Sequence, residues 1–268
     1  MATIYAMSDI HGYYDEMLNT LSLVDLDSEK ENKLIFLGDY IDRGEESCQV
    51  LYHIKSLKEK YPDQVVVLIG NHEEMFLDWY HSPNSDMPWL NHENYIITIP
   101  SFFDSKQQDK VFQELYYLRR SDKLISKYLA EQIKYYHSDL MDWLNSKKNQ
   151  LYYETENQIF VHAGICESNE KSWRNYTEKD EFIWKYPAET GSFYKDIIAG
   201  HISSVEVSKD KNYLGKVYWD NKSHFYIDGD TPRSRNIPLL KYDTKTKVYS
   251  SFEKEHDKAW TEYKITKK

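Results

Sequence analysis

The sequence predicts an α/β fold interrupted by a helical insertion, and three features of the chain point that way. Apolar runs alternate with helically spaced segments over roughly the first seventy residues, each apolar run ends in a polar cluster, and the composition changes between Met75 and Lys148 before strand patterns return. The predicted strands are Ile4 to Ser8, Lys33 to Leu37 and Val65 to Ile69. Between them, Tyr13 to Val24 and Cys48 to Tyr61 carry apolar residues at helical spacing. In open α/β sheets, ligands collect at the carboxyl ends of strands, where these polar clusters lie.

The insertion, about residues 75–148, is rich in Tyr, Leu, Lys and Glu and has a Pro and Asn punctuated stretch from Pro83 to Pro88. Phe112 to Leu118 and Leu124 to Leu144 read as two helices packed over one edge of the α/β core. Leu151 to Glu154 and Gln158 to His162 then read as a hairpin. Further strands are expected at Ile197 to Ala199, Val217 to Trp219, His224 to Ile227, Pro238 to Tyr242 and Val248 to Phe252. These make the second half mostly antiparallel, and the lysine-rich end, 254–268, is expected to be a loose tail. One domain spanning 1–268 accommodates all of this.

Composition narrows the function classes. A net charge of −10 excludes a concentrated basic face for a nucleic-acid backbone, and no apolar stretch is long enough to span a membrane. Two cysteines, Cys48 and Cys166, stand outside any paired metal or redox spacing, which suits a reduced, cytoplasmic setting. Acidity does not exclude a phosphate substrate, because bound divalent cations invert the local potential of a carboxylate-rich site. The 24 tyrosines are read as surface and core-edge residues.

The polar clusters carry the chemistry. Asp9 and His11, two apart at a strand end, leave the same face and offer oxygen and imidazole nitrogen to one cation. Asp39 follows the next strand and Gly38, where a carboxylate can bridge two cations about 3.5 to 4 Å apart. Asn71 offers a neutral amide oxygen after the third strand, and His162 and His201 follow two later ones, each near a glycine. Any one of these is an ordinary polar residue in a turn. Six of them at the ends of five apolar runs are read together as a shared metal site.

The ordered set, Asp9-Ile10-His11-Gly12, Gly38-Asp39-Tyr40-Ile41-Asp42-Arg43-Gly44, Gly70-Asn71-His72-Glu73, His162-Ala163-Gly164 and Gly200-His201, resembles the calcineurin-like metallophosphoesterases. Within them it resembles the phosphoprotein phosphatase family of serine/threonine phosphatases and its bacterial and phage members. The resemblance implies a β-sandwich of two mixed sheets flanked by helices. It further implies two divalent cations, manganese or an iron and zinc pair. Asp9 and His11 would hold the first, Asp39 would bridge, and Asn71, His162 and His201 would hold the second. Direct attack by a hydroxide between the cations would release phosphate. Arg43 would grip the phosphoryl oxygens through its planar fork, and His72 would protonate the leaving oxygen with Asp42 bonded to its other nitrogen. Glu73 would support the loop from behind the ligands.

One departure stands out. Where many members carry a second phosphate-binding arginine shortly after a tryptophan, this chain reads Phe182-Ile183-Trp184-Lys185-Tyr186-Pro187, leaving Lys185 and Arg174 as candidate replacements. Nor does a threonine-proline pair follow His201. Expected substrates are phosphorylated proteins or, alternatively, a dinucleoside polyphosphate or other small phosphoanhydride. A silent scaffold binding partners through its tyrosine-rich helices ranks last, because no ligand is missing. His53, His81, His92, His137, His224 and His256 lie outside the motifs and are read as surface or core histidines.

Overall fold

In β1 (Thr3–Met7) and β2 (Lys33–Phe36), alternate residues serve two different cores. Ile4, Ala6 and Ile35 pack with the interior of the second sheet, whereas Tyr5, Met7, Leu34 and Phe36 pack with helical residues such as Met17, Leu51 and Ile54. A strand covered on both faces shows no polar alternation, which is why these segments read as unbroken apolar runs. The structure, a computed structural model, describes residues 2–83, 89–118, 121–254 and 259–266. The stretch 84–88 and His256 lie outside the described residues, as does the side chain of His92.

The first sheet continues with β3 (Val65–Val67), which is parallel to β2. The second is built from β4 (Tyr152–Glu154), β5 (Gln158–Val161), β6 (Asp196–Ser203), β7 (Tyr218–Trp219) and β8 (His224–Asp228). The chain then returns to the first sheet with β9 (Leu240–Asp243), β10 (Val248–Glu253) and β11 (Thr261–Ile265). Strand orders are β11-β10-β9-β1-β2-β3 and β4-β5-β6-β8-β7, two mixed sheets face to face. Phe160, Ile198, Phe225 and Ile227 from one sheet meet Ile4, Ile35, Leu240 and Tyr242 from the other.

Helices flank the sandwich. The first half contributes α1 (Tyr14–Leu21), α2 (Ser47–Lys60) and α3 (Asn71–His81), and the insertion contributes α4 (His92–Ile96), α5 (Ser105–Leu118) and α6 (Asp122–Asn145). The short α7 (Trp173–Tyr176), α8 (Lys179–Trp184), α9 (Ser204–Ser208) and α10 (Thr231–Ser234) follow. Inside the insertion, α6 packs against α5 and also against α2 and α3, so it joins the helical layer beside the first sheet. Among the described residues, no helix is long and apolar enough to cross a membrane.

The second half is mostly antiparallel, as expected, through the pairs β1-β9, β9-β10, β10-β11, β4-β5 and β7-β8, but β5, β6 and β8 run parallel to one another in the middle of their sheet, and the expectation of a loose tail is corrected. The connections through α7, α8 and α9 are helical crossovers, and crossovers of that kind return a strand in the same direction. The lysine-rich end is not loose throughout, because Thr261–Ile265 pairs with β10 from Glu253 to Tyr249. Lys264 sits on this edge strand, where charge discourages further pairing.

Candidate metal centre

The loops after β1 and β2, the start of α3 and the loops and bulge of β5 and β6 converge at one end of the sandwich. Their backbones interlock: Asp9 N donates to Gly38 O (3.1 Å), His11 N to Asp39 O (2.9 Å) and Gly200 N to His162 O (2.8 Å). The approach is closest at Gly70 and Gly200, where an added Cβ would run into the carboxylates of Asp39 and Asp9 respectively. Asp9, His11, Asp39, Asp42, Arg43 and His201 all have φ between 51° and 72°. Each such non-glycine residue costs roughly 1 kcal/mol or more, and strain of this kind persists where surrounding structure fixes a functional site.

Glu73 does much of that fixing. Its buried carboxylate accepts from the backbone N–H groups of Asp39 (2.9 Å), Tyr40 (2.7 Å), Ile41 (3.2 Å) and Gly70 (3.1 Å). One side chain therefore ties the loop after β2 to the start of α3.

All six candidate ligands come together, and the ring hydrogen bonds show what they offer. His11 Nδ1 donates to the Ile41 carbonyl (2.9 Å) and His162 Nδ1 to the Leu37 carbonyl (2.9 Å), so each Nε2 is left with a lone pair. The His162 lone pair faces Asn71 Oδ1 at 2.9 Å and Asp39 Oδ1 at 3.4 Å. That of His11 faces Asp39 Oδ2 at 3.7 Å and Asp9 Oδ1 at 3.9 Å. His201 places Nδ1 3.2 Å from Asn71 Oδ1, while its backbone N–H donates to Asp9 Oδ2 (3.1 Å). Acceptors converging on acceptors are the arrangement that a cation relieves, and nitrogen mixed with oxygen suits a borderline divalent ion. Asp39 belongs to two compact groups suited to a metal, one with His11 and His72 and one with His162 and His201.

Electrostatics agree. Burial, reinforced by the Arg43 and His72 charges, drives His11 well below the usual imidazole range, and burial lowers His162 and brings His201 down to about 4. These three rings are neutral near pH 7, as ligands must be. For Asp39, burial opposes ionisation, but the charges that His162, His72, His11 and His201 carry in the acidic range outweigh it and hold the carboxyl below its ordinary value. Asp9 is pushed well up by burial and by the charges of Asp228 and Asp39, a like-charge crowding that bound cations would relieve.

His72 differs from the other rings. Burial disfavours its charge, but Asp39 and the bond to Asp42 outweigh burial and raise it to about 9. Nδ1 lies 2.7 Å from Asp42 Oδ2, and Nε2, 3.9 Å from Asp39 Oδ2, points toward the centre. Asp42 thus occupies one nitrogen of His72 and favours the imidazolium, leaving Nε2 to face the centre.

A family model for calcineurin-like phosphoesterases matches residues 2–222. The chain belongs to that family. Relatives differ in what their names say they act on. A symmetrical bis(5'-nucleosyl)-tetraphosphatase of Legionella pneumophila is 31% identical over 120 residues, 45% of this phosphoesterase and 41% of that protein. A PP2A-like serine/threonine-protein phosphatase of Candida albicans is 37% identical over 70 residues, 26% of this chain and 16% of that one. This phosphoesterase thus spans less than half the length of each of these curated relatives. A solved cold-active protein tyrosine phosphatase superposes with a TM-score of 0.58 at 18% identity, covering 93% of this chain and 75% of that one, which supports the fold alone.

The missing arginine is not replaced by either candidate. The Lys185 ammonium is bonded to the Ile165 carbonyl and lies 2.9 Å from Glu189 and 3.7 Å from Glu181. Arg174 pairs with Glu154 and stacks on Trp173, centroid 4.8 Å away. Arg43, exposed, is the cation of the phosphoesterase motifs beside the centre. Trp184 is 41% exposed, with its ring 6.2 Å from that of His201 and Nε1 donating to Glu74 Oε2 (3.2 Å), so it borders the centre and is not core packing.

Residues that sequence reasoning did not single out also reach the site. Asp228, at the end of β8, is buried, and burial raises it to about 6; its charge acts on Asp9. Trp89 and Thr98, from the insertion, donate to the Asp42 carboxylate. No motif marks any of the three. Of the other histidines, His53 meets Tyr14, His81 meets Asn145 and His137 meets Tyr52, as ordinary partnered side chains.

Proposed function

We propose that this phosphoesterase hydrolyses phosphomonoesters at a pair of divalent cations, manganese foremost, and that its substrates are phosphoserine and phosphothreonine side chains of cytoplasmic proteins. Asp9 and His11 would hold one cation, Asn71, His162 and His201 the other, and Asp39 both. The observation that carries the reading is Asp39, whose carboxylate is shared by two donor groups within reach of His72. When bound, the cations neutralise charge on the phosphoryl oxygens and acidify water.

The chain's own groups do the rest. The Arg43 guanidinium presents paired donors to two phosphoryl oxygens, a geometry that an ammonium does not match. His72 gives the Nε2 proton to the leaving oxygen, while Asp42 holds Nδ1 and favours the charged ring beforehand. A protein substrate is favoured by the exposure of Arg43 and Trp184 at the rim, which leaves room for a side chain presented from a large partner. A cavity of about 620 Å³ lies away from the centre, between Glu16, Lys216, Arg235 and Trp260.

A second reading, dinucleoside polyphosphate hydrolysis, is favoured by the length of the match to the Legionella tetraphosphatase and by the absence of an arginine beside Trp184. The experiment is phosphate release from a phosphoserine peptide, a phosphotyrosine peptide and diadenosine tetraphosphate, side by side, with manganese-loaded and metal-stripped protein. Metal-dependent turnover of the phosphoserine peptide above the others is expected. Preference for the dinucleotide would replace the first reading with the second, and no metal-dependent turnover of any would remove both.

A further inference from the structure

Asp42 sits under the acid with its side chain almost wholly buried, and a buried carboxylate is stable only when its lone pairs are occupied. His72 Nδ1 (2.7 Å) and Trp89 Nε1 (3.0 Å) converge on Oδ2, and Thr98 Oγ1 donates to Oδ1 (2.7 Å). Two of the three donors therefore come from the insertion, 47 and 56 residues along the chain. An indole N–H has no acceptor role to play, so Trp89 can serve Asp42 only as a donor.

Both donors are themselves held. The Trp89 ring packs 4.8 Å from the rings of Phe76 and of Trp79, which lie on α3, the helix that begins with Asn71 and His72. Its carbonyl accepts from Asn94 Nδ2 (2.6 Å) and Asn91 N (2.8 Å). The Thr98 carbonyl accepts from Ser101 Oγ (2.6 Å), and that oxygen accepts in turn from Cys48 N of α2 (3.2 Å). The stretch from Trp89 to Ser101 is thus clamped to both helices beside the acid.

We propose that Trp89 and Thr98 are positioning residues for proton donation. By occupying both oxygens of Asp42, they fix the plane of its carboxylate and, through it, the ring of His72. The proposal rests on the reading of His72 as the acid and gives the insertion a chemical role within the site. Its rival is that the two side chains merely satisfy a buried charge, with no effect particular to the protonated step.

The test compares Thr98→Val, which removes the donor at nearly constant shape, Thr98→Ser, which keeps it, and His72→Asn, on the manganese-loaded full chain. Each is assayed on nitrophenyl phosphate, a good leaving group, and on an alkyl phosphate, a poor one, with metal content measured. Thr98→Val is expected to keep two metals and to lose about tenfold more kcat on the alkyl ester than on the nitrophenyl ester. KM should stay unchanged, and Thr98→Ser should restore the alkyl rate. Independently of turnover, the indole ¹⁵N–¹H resonance of Trp89 in metal-free protein should shift in Thr98→Val.

Equal losses on both esters, or no loss on either, in a protein where His72→Asn does discriminate would overturn the positioning role and leave the acid assignment standing. If His72→Asn does not discriminate either, the acid assignment and this proposal fall together. Should Thr98→Val not fold, Trp89→Phe removes the other donor and is read by the same comparison.

Discussion

His224 should make the fold sensitive to alkali, although it lies outside the metal site. At the start of β8, Nε2 faces Glu167 Oε1 at 2.9 Å, and Nδ1 faces Asp220 Oδ2 at 3.1 Å and the Gly191 carbonyl at 3.0 Å. Both nitrogens meet acceptors, so the ring is held as imidazolium. Burial opposes the charge, but the two carboxylates outweigh it and raise the ring from its ordinary 6.5 to about 9. Because the folded value exceeds the unfolded one, the stabilisation is fully present below pH 6.5 and is lost as pH rises through about 9. A rise of that size corresponds to roughly 3 kcal/mol at most, given the side chain's near-complete burial. For a chain of this length it would lower Tm by about 6 to 12 °C across that window. The assay is urea unfolding at pH 6.5, 7.5, 8.5 and 9.5, in chelator, for the natural chain and His224→Gln. The variant should be less stable at pH 6.5, since Asp220 and Glu167 both lose the charged ring between them, and should show a flatter pH dependence than the natural chain. Parallel curves for the two proteins would refute the reasoning, because other groups that titrate in this range contribute equally to both.

Three further outcomes test the centre itself. Asp39→Asn removes the charge shared by both donor groups and should abolish binding of both cations by calorimetry; retention of two metals per chain would sink the bridging role. Arg43→Lys should raise KM for a phosphate ester or weaken inhibition by inorganic phosphate about tenfold, with metal content unchanged, and unaltered kinetics would make Arg43 a surface turn residue. Glu73→Gln should destabilise the fold by about 2 to 6 kcal/mol, because an amide NH2 faces at least two of the backbone donors that the carboxylate now accepts. Denaturant midpoints read this directly, and a loss below about 1 kcal/mol would show that the loops hold themselves.

Much of the centre was legible because its chemistry is local. A ligand at a strand end needs a left-handed or glycine-flanked turn, which limits the residue types to those seen at Asp9, His11, Gly38, Asp39, Gly70 and Gly200. The ends of β1, β2 and β3 were marked by the same turns, so strand limits and ligands came together. Strand direction was not marked. The unbroken apolar runs of β5, β6 and β8 read the same whether neighbours run parallel or antiparallel, and only the crossovers decide. In β11, Tyr263 and Ile265 did alternate with charged residues, but the lysines of an edge strand resemble those of a tail.

Trp89 and Thr98 show where spacing ceases to inform. A ligand is recognised by its own turn, whereas a residue that acts through another side chain is recognised only by the partner it meets, here across 47 and 56 residues. Trp89 sits among Phe76, Trp79 and Phe102, where an apolar ring is expected for packing alone. What distinguishes it is one N–H that must find an acceptor when buried, and the acceptor is the Asp42 carboxylate that also meets His72. The insertion varies in composition from the motifs around it, yet its burial is coupled to them at this point. Changes in the insertion that leave every motif residue intact should therefore still reach the proton-donating step, through Asp42 and not through the cations.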